Sequence, residues 1–284
     1  MTTVESILVL HKIFKNNNWY ERDSDEFIFN NFCKLLDNLD SKQRVLIIEL
    51  VSNYKWISYG EYPEKILSTL DNIESTKLNI LKKIYFFPVI KFEDEGEIKS
   101  GTFLMYPIKA FKKDLKNYQN INFTLNTKFE TFTNPDFILK ENELIFLIDD
   151  YIGSGETLEA CLGIIRQNPN ITNDKIKIIA LAIQAEIAEN ITGQGIEIFC
   201  ENILLKGISD YNSPPVVDEK IQMMLEIEKL IPGGSHFSLG YNRTEALITL
   251  SRTPDNTFPI FWKKYKIGNK KFDAPFSREE TVES

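Results

Sequence analysis

The sequence predicts an α/β fold, a doubly wound and mainly parallel sheet with a helical N-terminal extension. Three observations carry this reading. Residues 144–148 (LIFLI), 177–183 (KIIALAI) and 196–200 (IEIFC) are short and almost unbrokenly apolar, as strands buried on both faces of a parallel sheet are. Helical segments alternate with these runs, which is the order a doubly wound core requires. The first 80 residues instead recur in apolar character at helical spacing.

The elements follow in order. Residues 24–39 (SDEFIFNNFCKLLDNL) read as a helix. In residues 41–58 (SKQRVLIIELVSNYKWIS) Ser41 is an expected N-cap, and Ile47, Val51, Tyr54 and Ile57 recur at helical spacing. Residues 62–73 (YPEKILSTLDNI) place Pro63 in the first turn of a helix, where its missing N–H costs nothing. Residues 84–90 (IYFFPVI) are β-rich, and the acidic stretch with Glu93, Asp94, Glu95 and Glu97 reads as a solvated loop before a helical segment at 102–113. After the three apolar runs, residues 215–231 place Val217, Ile221, Met224 and Ile231 on one side of a helix. Residues 245–250 (EALITL) read as a strand and 253–262 (TPDNTFPIFW) as a Pro-rich tail, with Phe258 and Trp262 packing it onto the core. The expected division is a helical extension over 1–80 and an α/β core over 81–284.

Composition excludes several classes. The 284 residues are 43% hydrophobic and 26% charged, an ordinary globular balance. A net charge of −8 disfavours diffuse attraction to nucleic acid or anionic lipid. Three scattered cysteines (Cys33, Cys161 and Cys200) and two histidines make neither a disulfide framework nor a zinc site. The N-terminal stretch has no basic n-region and no long apolar span, so no signal peptide or membrane helix is expected, and the location expected is cytoplasmic.

The chemistry concentrates in residues 145–165 (IFLIDDYIGSGETLEACLGII). Two adjacent acids, Asp149 and Asp150, end an apolar strand, and Gly153-Ser154-Gly155 leads into a helix beginning near Glu156. Ligands of open parallel sheets bind at such carboxyl ends. Glycines let backbone N–H groups approach a bound group closely, and a helix N-terminus adds further N–H groups and a positive dipole end. Gly153, Ser154, Gly155, Glu156 and Thr157 therefore suit a phosphate monoester, and a side chain at Gly155 is expected to intrude on it. The acids suit vicinal hydroxyls and a hard cation such as Mg²⁺. A phosphate beside a diol is a ribose 5-phosphate. A nucleoside-triphosphate loop would need GxxxxGK[ST], whose lysine is absent, and a GxGxxG fingerprint would need glycine where Leu158 stands. A methyltransferase loop usually follows a single acid.

Residues 146–158 (FLIDDYIGSGETL) resemble the phosphoribosyl-pyrophosphate (PRPP) motif of type I phosphoribosyltransferases. The resemblance implies that Asp149 and Asp150 contact the ribose hydroxyls, directly or through Mg²⁺, as catalytic and metal-associated residues. It also implies that residues 153–157 wrap the 5-phosphate. Glu156 departs from the pattern, since its carboxylate must turn outward. The family's pyrophosphate loop corresponds here to Lys99, Ser100 and Gly101. Residues 240–262 (GYNRTEALITLSRTPDNTFPIFW) resemble the C-terminal part of a phosphoribosyltransferase-like family of prokaryotic conflict systems. That resemblance implies a role in anti-phage defence, a protein partner encoded in the same operon, and admits a homodimer.

The function expected is a Mg²⁺-dependent glycosyltransferase acting on PRPP, with a 5′-mononucleotide as the other ligand class. The alternative is a non-catalytic nucleotide- or PRPP-sensing subunit controlled by a partner such as a retron reverse transcriptase. A nucleotide-cleaving glycosidase or phosphorylase would use the same cradle. No residue run identifies the acceptor base or a general base.

Overall fold

The computed structural model describes residues 1–20 and 23–278, with the side chains of 23–26 and 234–235 outside that description. The chain forms two compact units, one of residues 1–58 with 205–284 and one of residues 59–204. The helix α1 (Thr3–Asn16) opens with a capping box in which the Thr2 hydroxyl accepts from Glu5 N–H, and α2 (Asp23–Asp37) follows. The helix α3 (Ser41–Ser52) is capped by Asp40, whose carboxylate accepts from the N–H groups of Lys42 and Gln43 at 2.8 and 2.9 Å. Asp40, not Ser41, is therefore the N-cap: a carboxylate one residue earlier reaches two amides where the serine would reach one. Tyr54 and Ile57 lie beyond the end of α3, flanking the short strand β1 (Lys55–Trp56), and are buried there.

The second unit begins with α4 (Tyr62–Asp71), which carries Pro63 in its first turn as expected, and α5 (Ser75–Leu78). Strand β2 (Lys83–Pro88) leads to α6 (Ser100–Ala110), then β3 (Asn122–Leu125) and α7 (Glu130–Thr133). Two strand–helix steps and a last strand follow: β4 (Glu143–Ile152), α8 (Glu156–Ile165), β5 (Ile176–Gln184), α9 (Ala185–Gly193) and β6 (Glu197–Leu204). Five strands make one wholly parallel sheet in the order β3-β2-β4-β5-β6. The architecture is the α/β one expected, with a parallel sheet between helices. On one face Tyr85, Phe87, Ile145, Leu147 and Ile178 pack with α7, α8 and α9 through Phe132, Leu158, Leu162 and Ile191. On the other, α4 and α6 lie against β5, β4 and β2.

Chain order and sheet order diverge at one place. The connection after β2 runs outward to β3, whereas β4 returns to the other side of β2 and the chain then proceeds outward through β5 and β6. The crevice between β2 and β4 is thus the topological switch point, where open α/β sheets bind ligands.

The chain then returns to the first unit with α10 (Val216–Glu228), β7 (Ile248–Thr249), β8 (Tyr265–Ile267) and β9 (Lys270–Phe272). β7 pairs with β1 in parallel, and Phe14, Leu50, Tyr54, Met224, Phe261 and Phe276 share one core. The expected strand at 245–250 shortens to two residues. Glu245 sits at φ +49° and turns its carboxylate onto the N–H groups of Ile208 and Ser209, both at 2.9 Å, which breaks extended geometry. The Pro-rich tail packs as expected: Phe258 and Trp262 are buried, and the indole N–H donates to Thr257 C=O at 2.9 Å. The division at residue 80 is drawn differently by packing. Helices α1–α3 share a core with the C-terminal segments, whereas α4 and α5 belong with the sheet. Among the described residues no helix is long and apolar enough to cross a membrane.

Candidate functional site

Strand β4 runs past its apolar stretch and carries both acids inside it, with Asp149 beside Ala180 of β5. The two acids are adjacent in β4, close enough for their carboxyl groups to interact directly. Each is buried, and each is met by a hydroxyl from a helix. The Asp149 carboxylate accepts from the Ser100 hydroxyl at 2.9 Å and from the Asp150 N–H at 2.9 Å. The Asp150 carboxylate accepts from the Tyr62 hydroxyl at 2.7 Å. Burial first, and then the neighbouring Asp150 charge, push the Asp149 carboxyl well above the usual carboxylate range. A cation or a hydroxyl-rich ligand arriving at this pair would oppose that shift by favouring the charged form.

Ser100 reaches Asp149 because Gly101 allows it. A Cβ on Gly101 would lie 2.5 Å from the Ile148 carbonyl oxygen and 3.2 Å from Pro88 Cβ. Only glycine lets the first turn of α6 rest on the ends of β2 and β4. The positive end of α6 then faces a buried carboxylate, the favourable sense of the helix dipole. Lys99, the N-cap residue of α6, is engaged elsewhere: its ammonium pairs with Glu97 at 2.9 Å and Asp94 at 3.0 Å. Of the three residues expected at pyrophosphate, two serve packing and the acid pair, and the third is balanced by acids of its own loop.

The turn after β4 matches its sequence reading closely. Gly155 is the N-cap of α8, at φ +78° and with no side-chain cap. The first N–H groups of a helix have no partner within it, so this end is suited to an anion. Gly153 and Gly155 are buried, Ser154 and Thr157 half-buried, and Glu156 is exposed, the outward placement its carboxylate needs. A Cβ on Gly155 would point at Ile187 of α9, 3.1 Å from Cγ2 and 3.2 Å from Cδ1, so the backbone angle and this contact already favour glycine within the protein itself.

The residue that sequence reasoning missed is Tyr62. It lies 88 positions before Asp150, and nothing local to it signals a carboxylate partner. Ser100 was found, but by its place after β2 and not for its bond to Asp149.

These features sit at the β2–β4 switch point of a parallel sheet, and the PRTase-CE family model matches residues 17–278. The chain belongs to the PRTase-CE family. It is a phosphoribosyltransferase-like protein. The PRTase-CE match takes in both the acid-turn segment and the C-terminal segment, and it begins within the N-terminal helices, so most of those helices are part of what the family model describes. A search of curated proteins finds no match to the chain.

Among the described residues no group of three or more His, Cys, Asp or Glu side chains gathers to hold a metal ion. Mg²⁺ usually binds through one or two carboxylates plus substrate oxygens. Asp149 and Asp150 fit that mode, with the ligand supplying the remaining oxygens.

Proposed function

We propose that this PRTase-CE protein binds PRPP, or the ribose 5-phosphate moiety of a mononucleotide, together with Mg²⁺ and works as a phosphoribosyltransferase. The observation that carries the proposal is the acid pair followed by the left-handed Gly155 N-cap, at the carboxyl end of β4 beside the switch point. Backbone N–H groups of Gly153–Thr157 would hold the 5-phosphate, with the Ser154 and Thr157 hydroxyls beside them. Asp149 and Asp150 would accept from the ribose hydroxyls or hold Mg²⁺ through them, and Ser100 and Tyr62 keep the two carboxylates oriented. Pyrophosphate would depart from C1 with the electron pair of the C1–O bond, and a nitrogen nucleophile would form the new bond to C1. Mg²⁺, when bound, would neutralise charge on the departing pyrophosphate. The α6 N-terminus would face that group, and Lys99 would join only by releasing Asp94 and Glu97. Expression in the cytoplasm, a role in prokaryotic defence and an operon-encoded protein partner belong to this proposal.

One observation favours a second reading, a non-catalytic PRPP or nucleotide sensor held by a partner. Both carboxylates already have hydroxyl donors from the protein, on α6 and α4, so a ligand held by the acids would be linked directly to those two helices. One experiment separates the readings. The protein is incubated with Mg²⁺ and PRPP, alone and with a panel of nucleobases, while pyrophosphate release and melting temperature are followed. Ligand that binds only the native state raises the melting temperature. A shift with pyrophosphate release supports the transferase, and a shift without release supports the sensor. No shift with millimolar PRPP, mononucleotide or ribose 5-phosphate removes the ribose-phosphate reading.

A further inference from the structure

A second charged site lies in the unit formed by residues 1–58 and 205–284. A cavity of about 720 Å³ is lined by the β8–β9 hairpin and the segments flanking it. That volume falls in the range of small-molecule sites. Its charge is opposite to that of the chain. Lys263, Lys264, Lys266, Lys271 and Arg278 line it, with Asp273 the acid among the lining residues, in a protein of net charge −8.

The hairpin register shows why this is more than a run of solvated lysines. Tyr265 and Phe272 are directly opposite and their rings stack at 5.3 Å, with Tyr265 fully buried in the core. Alternation then turns the next pair, Lys266 and Lys271, to the other face, where both line the cavity. Like charges directly opposite in an antiparallel pair are destabilising. The neighbouring position shows the usual remedy, with Lys264 paired to Asp273 at 3.3 Å. Arg278 is held by Asp255 and lies 3.9 Å over the Trp262 ring, and the Lys263 ammonium lies 5.0 Å from the same ring. Among the described residues no ion pair joins Lys266 or Lys271 to an acid. Two lysines opposed across a hairpin and turned into a concave basic wall are what a multiply charged anion would bridge.

We infer that this cavity binds a phosphorylated small molecule carrying two or more phosphates. A polymeric polyanion is the less favoured occupant. It would extend beyond the local basic wall, and at physiological ionic strength screening over about 8 Å confines that wall's field, leaving an acidic protein surface around it. The cavity site is independent of the ribose-phosphate reading of Asp149 and Asp150.

The probe is inorganic tripolyphosphate, titrated calorimetrically into the full chain at about 0.15 M salt without divalent cation, the ionic strength of the screening argument. Saturable binding of one molecule per chain is expected. The Lys266→Gln/Lys271→Gln protein should bind at least about tenfold more weakly, since two charge-assisted contacts are removed. It should melt no lower than wild type without ligand, because repulsion is relieved. Asp149→Asn/Asp150→Asn should leave tripolyphosphate affinity unchanged. The inference is overturned by no saturation at millimolar concentration, by equal affinity in the double-lysine variant, or by tighter binding of a single-stranded oligonucleotide than of tripolyphosphate. Loss of binding in the aspartate variant would also overturn it, by moving the anion to the other unit.

Discussion

Replacing Gly155 separates two reasons for a glycine at a phosphate turn. The residue sits at φ +78°, where an L side chain costs about 1–2 kcal/mol through crowding of Cβ against the backbone. The added Cβ would also meet Ile187 at 3.1 Å. Ile187 is half-buried and its methyls can give way, so the backbone angle is the larger contribution. Gly155→Ala should therefore lose about 1–2 kcal/mol, a fall in melting temperature of roughly 2–8 °C for a unit of this size. Gly155→Asn carries the same Cβ but tolerates the left-handed region better, so it should lose clearly less. Gly155→Val, branched at Cβ, should lose most. The assay is thermal unfolding of the four proteins, followed by titration with ribose 5-phosphate and with an unphosphorylated nucleoside. Phosphate affinity should fall in the same order as stability, because both follow the backbone angle. Equal melting temperatures for Gly, Asn and Ala would refute the conformational argument. Loss of phosphate affinity at unchanged stability would instead put the side chain in the phosphate seat.

Three further outcomes follow from the same geometry. Asp149→Asn should raise the melting temperature of the ligand-free protein, by about 0.5–2 kcal/mol in stability as for relief of other strained functional sites, while weakening PRPP binding. Because the folded-state carboxyl of Asp149 is raised by burial, its contribution favours folding at low pH and fades as pH rises through the raised value; in the Asn variant the corresponding slope of melting temperature with pH should disappear. Gly101→Ala should push α6 off the Ile148 carbonyl and separate Ser100 from Asp149, which lowers stability and ligand affinity together; a variant that melts and binds like wild type would refute the close approach. Burial raises the Glu228 carboxyl to about 7, against hydrogen bonds from Ser238 and the Leu239 N–H. Its contribution is full below the ordinary carboxylate range and lost as pH rises through about 7, so Glu228→Gln should flatten melting temperature between pH 5 and 8, and an unchanged profile would count against it.

How much was legible in the sequence depended on whether the signal was local. β2, β4 and β5 could be read because strands buried on both faces leave unbroken apolar runs, and β6, a half-exposed edge strand, was read from the apolar Ile198, Phe199 and Cys200. The edge strand β3 escaped because its residues are half-exposed or exposed and lie among asparagines. The helical pattern of α4 looks like that of α1–α3, since periodicity tells which face is buried but not against what, so its packing with the sheet could not be read from it. At the site, Asp149, Asp150 and the turn are contiguous, so their place at the end of β4 and the start of α8 could be read directly. Tyr62 and the bond from Ser100 arise only when α4 and α6 are laid over the strand ends, which no spacing in the chain encodes.

The interrupted first unit sets the timing of biosynthesis. Residues 59–204 are contiguous and include the whole parallel sheet, so they can collapse as soon as they leave the ribosome. Leu10, Phe14, Leu36 and Leu50 cannot, because their core partners Phe261 and Phe276 are made more than two hundred residues later. At about 5–20 residues per second of synthesis, those apolar helix faces wait on the order of ten to forty seconds for their other half. Once residue 204 has emerged, the nascent chain carries a complete parallel-sheet unit and a still incomplete first unit, and it is the unfinished helices that a chaperone would have to shield.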